Sequence, residues 1–295
     1  MSIIDLHTHS TYSDGKDSPE EIIQKAKSGG VKFLSLTDHD TVGGLKRAKD
    51  SAVLNGIKFV NGLEISVLFF HKLYHEGQKS LELHMLGYNF DPENKELLNT
   101  LQENRNYRQW RAKEMVKKVN NILEKENQSI ITEQEYEKMK NSIGGTIGRP
   151  HLAQILIDKK IVSSVYEAFQ KYLNTCNVPK KELSFEKGSS LIKNSGGKVV
   201  LAHPFGDKEH SLLKVETNFP ENDYPRMVRE MKPFIDGIET FYWDYTSEQM
   251  ELCQRIAERY DLIPTVGSDH HGGEKDRVGK IYSLQEISDF RKLFL

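Results

Sequence analysis

Short apolar runs recur at both ends of the chain, each leading into a polar or helical stretch. Ser2-Ile3-Ile4-Asp5-Leu6 reads as a first strand and Lys32-Phe33-Leu34-Ser35-Leu36-Thr37 as a second. Ile57-Lys58-Phe59-Val60 reads as a third, leading through Gly62 to Glu64, and Leu81 to Tyr88 as a fourth. Between them Ser18-Pro19-Glu20-Glu21 forms a capping box with proline at the first helical position, and Gly29-Gly30 follows the run ending at Lys27. Asp40-Thr41 predicts the opening of a second helix through Lys46 to Leu54, closed by Asn55-Gly56.

The pattern changes at about Pro92. Residues 92–140 are polar, with apolar positions at helical spacing: Leu97, Leu98, Leu101, Trp110, Met115, Val119 and Ile122. This stripe, with Trp110 in it, predicts a helical unit with its own core, broken at Gly144-Gly145-Thr146-Ile147-Gly148. Strand signals return only at Gly197-Lys198-Val199-Val200-Leu201-Ala202. A helix near 223–231, a strand over 236–241, a helix over 247–260, a strand over 262–268 and a short helix from Gln285 follow. The alternation predicts an α/β domain made of residues 1–91 and 183–295, with a helical insertion over 92–182.

Chemistry collects where the apolar runs end. His7 and His9, one residue apart, project from the same face of an extended segment and can reach one ion. Asp14 follows them, and His39 sits in Thr37-Asp38-His39-Asp40 after the second strand. Glu64 ends the third run and His84 lies within the fourth, while His203 precedes Pro204 and Asp269 and His271 follow the last strand. Strand ends of an α/β fold converge at one mouth, where such folds place their sites. Six imidazoles, two aspartates and one glutamate exceed the needs of one ion and suit two or three. Nitrogen and carboxylate oxygen without thiolate suit Mn²⁺, Fe²⁺ or Zn²⁺. Asp38 and Asp40 read as caps of the next helix or supports for His39, and His71, His75 and His210 as surface loop residues.

Composition changes this picture little. The formal charge of −2 over 295 residues gives no general pull toward nucleic acid or membrane. No apolar run approaches a membrane span, and no signal-like leader is evident, so a cytoplasmic location is expected. Cys176 and Cys253 lie far apart and form no metal-type pair. No basic stripe interleaved with stacking aromatics suggests a grip on long duplex nucleic acid.

His7-Thr8-His9, Asp14, Asp38-His39, Glu64-Ile65-Ser66, His84, Ala202-His203-Pro204 and Gly267-Ser268-Asp269-His270-His271-Gly272 together resemble the motifs of the PHP (polymerase and histidinol phosphatase) superfamily. Arg149-Pro150-His151 and Val178-Pro179-Lys180 narrow the resemblance to the branch of 3′,5′-nucleotide bisphosphate phosphatases and 5′-3′ exoribonucleases. The resemblance implies a distorted (βα)₇ barrel of TIM-like type and a trinuclear centre, usually with Mn²⁺. It implies one ion held by His7, His9, Glu64 and Asp269, a second by Glu64, His84 and His203, and a third by Asp14, His39 and His271. A metal-bridging hydroxide would attack phosphorus, with Asp269 and His203 as catalytic residues, and His203 or a metal-bound water would protonate the leaving group. Arg149, His151 and Lys180 would hold a substrate phosphate from the insertion, which serves as a substrate cap. Otherwise Arg149 and His151 cap a helix at Pro150, and Lys180-Lys181 is a solvated face. The substrate would be a nucleotide or short oligonucleotide. The rivals are a histidinol-phosphate or other small phosphomonoesterase, and a non-catalytic nucleotide-binding or regulatory protein. A long turn after Ile65, His270 in place of a common aromatic, and Asn177 in place of a common tyrosine depart from the pattern at the mouth of the site.

Overall fold

The structure, a computed structural model, describes residues 3–70, 80–181, 183–206, 210–212, 224–273, 278 and 292. Seven strands follow one another around a single sheet: β1 (Ile3–Asp5), β2 (Val31–Leu36), β3 (Lys58–Phe69), β4 (Leu81–Tyr88), β5 (Lys198–Leu201), β6 (Gly237–Tyr242) and β7 (Ile263–Gly267). The Leu6 N–H donates to the Val266 carbonyl at 3.0 Å, bringing the last strand beside the first, so the sheet curls into a nearly closed barrel. Neighbours pair in parallel except for β4, which runs antiparallel to both β3 and β5. That reversed strand is the distortion of the expected (βα)₇ plan.

Helices α1 (Pro19–Ser28), α2 (Leu45–Asn55), α7 (Phe185–Asn194), α8 (Tyr224–Met231) and α9 (Ser247–Tyr260) set apolar faces against the strands. The capping box at Ser18 forms as read, with the Ser18 hydroxyl accepting from the Glu21 N–H and the Glu21 carboxylate from the Ser18 N–H. A second apolar cluster comes from strand and near-strand residues only, among them Ile4, Leu6, Val60, Leu86, Tyr88, Val200 and Val266. It fills the barrel as side chains fill any small barrel, and the Tyr88 hydroxyl at its centre finds the Leu6 carbonyl at 2.8 Å.

Between β4 and β5 the chain forms α3 (Lys95–Lys125), α4 (Glu133–Ser142), α5 (Arg149–Asp158), α6 (Val165–Ala168) and a π-helical turn at Phe169–Leu173. Met115, Val119 and Leu123 of α3 pack with Tyr136, Leu152, Leu156 and Leu173 in a cluster separate from the barrel's. Two expectations change here. Leu97 and Leu101, at the start of α3, belong to the barrel's cluster, so the apolar stripe serves two cores in succession. Trp110 lies in neither and is 50 % exposed, because α3 turns it away from the buried side that Arg111 and Met115 occupy.

The second helix also starts later than its sequence suggests. α2 begins at Leu45 after Gly44, without a side-chain cap, because Asp38 and Asp40 are used elsewhere. The helix expected from Gln285 lies outside the described residues. Among those described, no helix is long and apolar enough to cross a membrane.

Candidate metal centre

Strand geometry brings the predicted residues to one mouth. β1 delivers His7 and His9, β2 delivers His39, and an isolated parallel bridge sets His39 beside Glu64 on β3. Alternation along the β3–β4 hairpin places His84 opposite Ser66, two residues beyond Glu64. His203 follows β5, and Asp269 and His271 follow β7. Asp40, His203 and Asp269 take positive φ values of 50°, 24° and 48°, a strained conformation for residues with a Cβ. Strain of this kind collects where function fixes the backbone.

Glu64 is the hub. Its Oε2 lies 3.4 Å from His7 Nε2, 3.2 Å from His9 Nε2 and 3.0 Å from His39 Nδ1. Its Oε1 lies 2.9 Å from His84 Nδ1 and 3.2 Å from His203 Nε2. The Asp269 carboxylate closes one group at 3.3 Å from His7 and 3.1 Å from His9. Asp14 closes another, 3.3 Å from His271 and 3.8 Å from His39.

Atoms held about 2.1 Å from a common ion stand about 3.0–3.4 Å apart in octahedral or tetrahedral geometry, the spacing of most of these contacts. Several of the buried atoms, including His9 Nδ1, Asp14 Oδ1, Glu64 Oε2, His84 Nε2 and His203 Nδ1, have no directed hydrogen bond. Polar atoms rarely remain buried in that state. His7, His9, Glu64 and Asp269 could hold one ion, His9, Asp14, His39 and His271 another, and His39, Glu64 and His84 a third, while Glu82, His84 and His210 bring ligand-type atoms together at the edge of the cluster. A divalent cation fits this nitrogen and carboxylate set.

The charges in the cluster are interdependent. Burial pushes Glu64 up, but His39, His84 and His7 outweigh it and hold the carboxyl well below its usual range. Burial likewise opposes ionisation of Asp14 and Asp269, and neighbouring imidazoles hold both well below. Burial pushes His39 down to about 3 and His84 to about 4, against the pull of Glu64. His271 goes the other way, up to about 10, because Asp14 and Asp269 overcome its burial. The carboxylates are ionised, and only some of the crowded imidazoles can be charged with them.

A surrounding layer aims these groups. Glu239 on β6 lies 3.0 Å from His7 Nδ1 and accepts the His203 N–H at 2.7 Å. Sequence reasoning missed it, although an acid inside the buried run Gly237–Tyr242 was the available signal. A Cβ at Gly267 would come within 2.2 Å of His7 Cβ and 2.3 Å of Glu239 Oε1, so only glycine lets the last strand pass behind them. Tyr242 donates to Asp269 at 2.8 Å. His270 is buried and bonded to Asp17 at 2.7 Å, with its carbonyl accepting the His9 N–H, so it braces two loops.

Asp38 binds the Ser10 N–H and the Ser10 and Ser13 hydroxyls, each at 2.7 Å, fixing the loop that carries Asp14. Asp40 pairs with Arg108 of α3. Neither aspartate caps a helix, contrary to one expectation.

Facing the imidazoles is a cationic side. A cavity of about 180 Å³ is lined by Asp14, His39 and His84 from the barrel, and by Arg108, Arg111, Arg149 and Lys180 from the insertion. Burial and the neighbouring Arg149 and Arg108 push the Arg111 guanidinium down to about 10. Arg111 donates to the Val178 carbonyl and, at 2.7 Å, to Asn177, so Asn177 supports the cationic side. Arg149 stacks over Phe169 with its guanidinium carbon 4.8 Å from the ring centroid.

The loop before α5 docks on the loop after His9, with the Gly144 and Thr146 N–H groups donating to the Thr11 and Tyr12 carbonyls. A Cβ at Gly145 would meet the Tyr12 oxygen at 2.1 Å. This docking sets Arg149 next to the metal side. His151 does not line the cavity: its Nδ1 accepts the Gly148 N–H at 2.9 Å and closes the start of α5. The helix-capping contact expected of it forms.

Lys180 is a cavity residue rather than a solvated face, bonded to Glu82 and, at 3.2 Å, to Ser66. His210, expected at the surface, also lines the cavity, stacked on His84 with ring centroids 4.3 Å apart. His71 and His75 lie outside the described residues.

Known proteins resemble this chain over most of its length. The PHP domain family matches residues 5–186. A 5′-3′ exoribonuclease of Haemophilus influenzae is 31 % identical over 90 % of this chain and 89 % of its own. A 3′,5′-nucleoside bisphosphate phosphatase of Chromobacterium violaceum is 31 % identical over 97 % of this chain and 94 % of its own. A solved structure from Bifidobacterium adolescentis, named for metal-dependent phosphoesterase activity, superposes with a TM-score of 0.77 at 26 % identity, covering 97 % of this chain and 95 % of that one. The converging ligand-type atoms and these relatives lead to one assignment: the chain belongs to the PHP domain family and is a metal-dependent phosphoesterase.

Proposed function

We propose that this phosphoesterase hydrolyses nucleotides or short oligonucleotides that carry a phosphate besides the one cleaved, for example a 3′,5′-nucleotide bisphosphate to a nucleoside 5′-monophosphate. The observation that carries this reading is the cavity with two unlike sides. One has the nitrogen and carboxylate atoms of a metal centre; the other has three arginines and a lysine. A single cleaved phosphate needs only the first. Guanidinium groups suit a second phosphate, which they can grip with paired hydrogen bonds. The named activities of the two relatives support the same substrate class.

In this reading the barrel of 1–91 and 183–295 carries the metal centre, and 92–182 acts as the substrate cap. His7, His9, Asp14, His39, Glu64, His84, His203, Asp269 and His271 hold two to three ions, with Mn²⁺ as the metal. Bound ions supply an activated water at neutral pH and neutralise the phosphoryl oxygens. Asp269, steadied by Tyr242, and His203, whose backbone N–H is held by Glu239 and whose Nε2 lies 3.2 Å from Glu64, are the catalytic residues of this reading. Arg108, Arg111, Arg149 and Lys180 fix the phosphate that stays. His151 acts indirectly by shaping the turn that presents Arg149. The enzyme works in the cytoplasm on small substrates.

The test is phosphate release by Mn²⁺-loaded protein from nucleotide bisphosphates, 5′-phosphorylated dinucleotides, mononucleotides and histidinol phosphate, with elemental analysis in parallel. Preference for substrates with two phosphates and two to three ions per chain is expected. Faster turnover of histidinol phosphate, or one ion or fewer at saturation, would overturn the assignment.

A further inference from the structure

Beyond the residues assigned to metal and phosphate, one carboxylate in the cavity region has no place in the mechanism. Glu82 lies on β4 two residues before His84, and strand alternation gives both side chains the same face. The hairpin register sets Leu68 opposite Glu82 and Ser66 opposite His84. β3 is also gripped from the cap's exit, where Leu68 N–H donates to the Leu183 carbonyl at 2.8 Å. The hairpin that carries Glu64 and His84 therefore continues outward to Glu82, beside the segment that delivers Lys180.

Two cationic or proton-bearing groups meet on this carboxylate. Lys180 Nζ bonds Glu82 Oε1, and His210 Nε2 lies 3.3 Å from the same oxygen. Lys180 and His210 both line the cavity. Burial lowers Lys180, with Glu82 opposing. An ammonium and an imidazole packed near Arg108 need an anion between them to hold their places.

We propose that Glu82 is a positioning residue for substrate: its carboxylate holds Lys180 and His210 against the β3–β4 hairpin and aims both at the substrate phosphate that is not cleaved. This rests on the proposed second-phosphate reading and adds His210 to the groups that contact that phosphate. Glu82 transfers no proton and binds no substrate. It sets the distance between the cationic side and the imidazoles of the metal side through one continuous strand, since Glu82 and His84 are about 7 Å apart along β4.

The experiment compares wild type, Glu82→Gln, the Lys180→Met/His210→Asn double variant and the triple combination, all loaded with Mn²⁺. Glu82→Gln keeps the size of the side chain and removes the charge. It should raise KM for a nucleotide bisphosphate about tenfold or more, with kcat changing less than about threefold and bound metal per chain retained. In the background lacking Lys180 and His210, the same change should alter KM less than about twofold, because the groups it aims are absent. A fall in kcat together with bound metal would place Glu82 in the metal centre and overturn the proposal. So would a KM within threefold of wild type in the single variant, or an equal effect in both backgrounds.

Calorimetric binding of inorganic phosphate to the same four proteins gives a readout that needs no turnover. If wild type hydrolyses no bisphosphate, the functional reading fails. Weaker phosphate binding by Glu82→Gln, only when Lys180 and His210 are present, would still support the positioning role, and equal binding would remove it.

Discussion

The two sides of the cavity are built by opposite means. The imidazole side comes from the ends of β1, β2, β5 and β7 and from the middle of β3 and β4, has His7, His9, Glu64, His84 and His203 buried, and is braced by Glu239, Tyr242, Asp17 and Asp38. The cationic side comes from a helix, a helix start and an extended exit segment, and its groups sit at the ends of long side chains. Its arginines reach the cavity from α3 and α5, whose apolar residues belong largely to a different core from the one under the metal side. A barrel rim gives fixed positions for groups that must surround an ion to within a few tenths of an ångström. A helical cap gives reach and adjustable charge, which suits recognition of a phosphate whose position varies with the substrate. In the proposed reading the division separates reaction from selection.

Removing one residue from each side should break that division most visibly. His7→Ala or Asp269→Ala should reduce hydrolysis of every phosphoester to background and lower bound metal, because each takes an atom from the group around Glu64. The measurement is kcat/KM on several esters with elemental analysis alongside. Retained turnover on any of them would show that the two sides do not divide the work as described.

Arg149→Ala should do something different. It should leave the metal bound and weaken substrates according to their phosphates, by about 10- to 150-fold for one charge-assisted contact of roughly 1.5–3 kcal/mol. A bisphosphate should lose more than p-nitrophenyl phosphate when kcat/KM is measured for both. Equal losses would mean that Arg149 serves the cleaved phosphate, and no loss on either would remove it from the site.

These two sides were not equally legible in the sequence. The strands that carry the metal side announce themselves as apolar runs, and a histidine or acid within or just after each is conspicuous. All nine predicted residues meet at one mouth for that reason. Arg108 and Arg111 were invisible because a charge inside a polar helix looks like any solvated residue; only the fold shows which side of α3 faces the cavity. Trp110 misled for the same reason, since helical spacing alone did not reveal where α3 passes from one core to another. His210 looked like a loop residue because its partners, Glu82 and His84, are more than a hundred residues away.

Support around the metal side should matter less than the ligating atoms themselves. Glu239→Gln keeps the volume but weakens the hold on His7 and on the His203 backbone. Loss of such an outer partner costs about 10- to 100-fold in metal affinity or activity. Titration of metal-free protein with Mn²⁺ should show a weaker midpoint, and activity should recover at high Mn²⁺ while the proposed bisphosphate preference persists. A changed preference at saturating metal would show that the two sides are coupled through Glu239.

The smallest effect tests whether the metal side's bracing stands without metal. Asp17 joins Lys25 at 2.6 Å and His270 at 2.7 Å, linking the loop after β1 to the loop after β7. Burial raises its pKa, but Lys25 and His270 together outweigh that and hold it below the usual range. A carboxyl depressed in the folded state contributes stability that is fully present above its unfolded value near ~3.9 and is lost as pH falls through the lower folded value. Part of the group faces water, so screening limits the contribution to about 0.5 kcal/mol. Urea unfolding of wild type and Asp17→Asn, both stripped with chelator, should differ by about that amount at pH 6 and converge as pH falls below ~3. Chelation keeps loss of metal at acid pH from contributing, and the other carboxylates titrate alike in both proteins, so the difference reports Asp17 alone. A gap that persists at the lowest pH would mean that Asp17 acts through packing, and the bracing of the metal side would not be electrostatic.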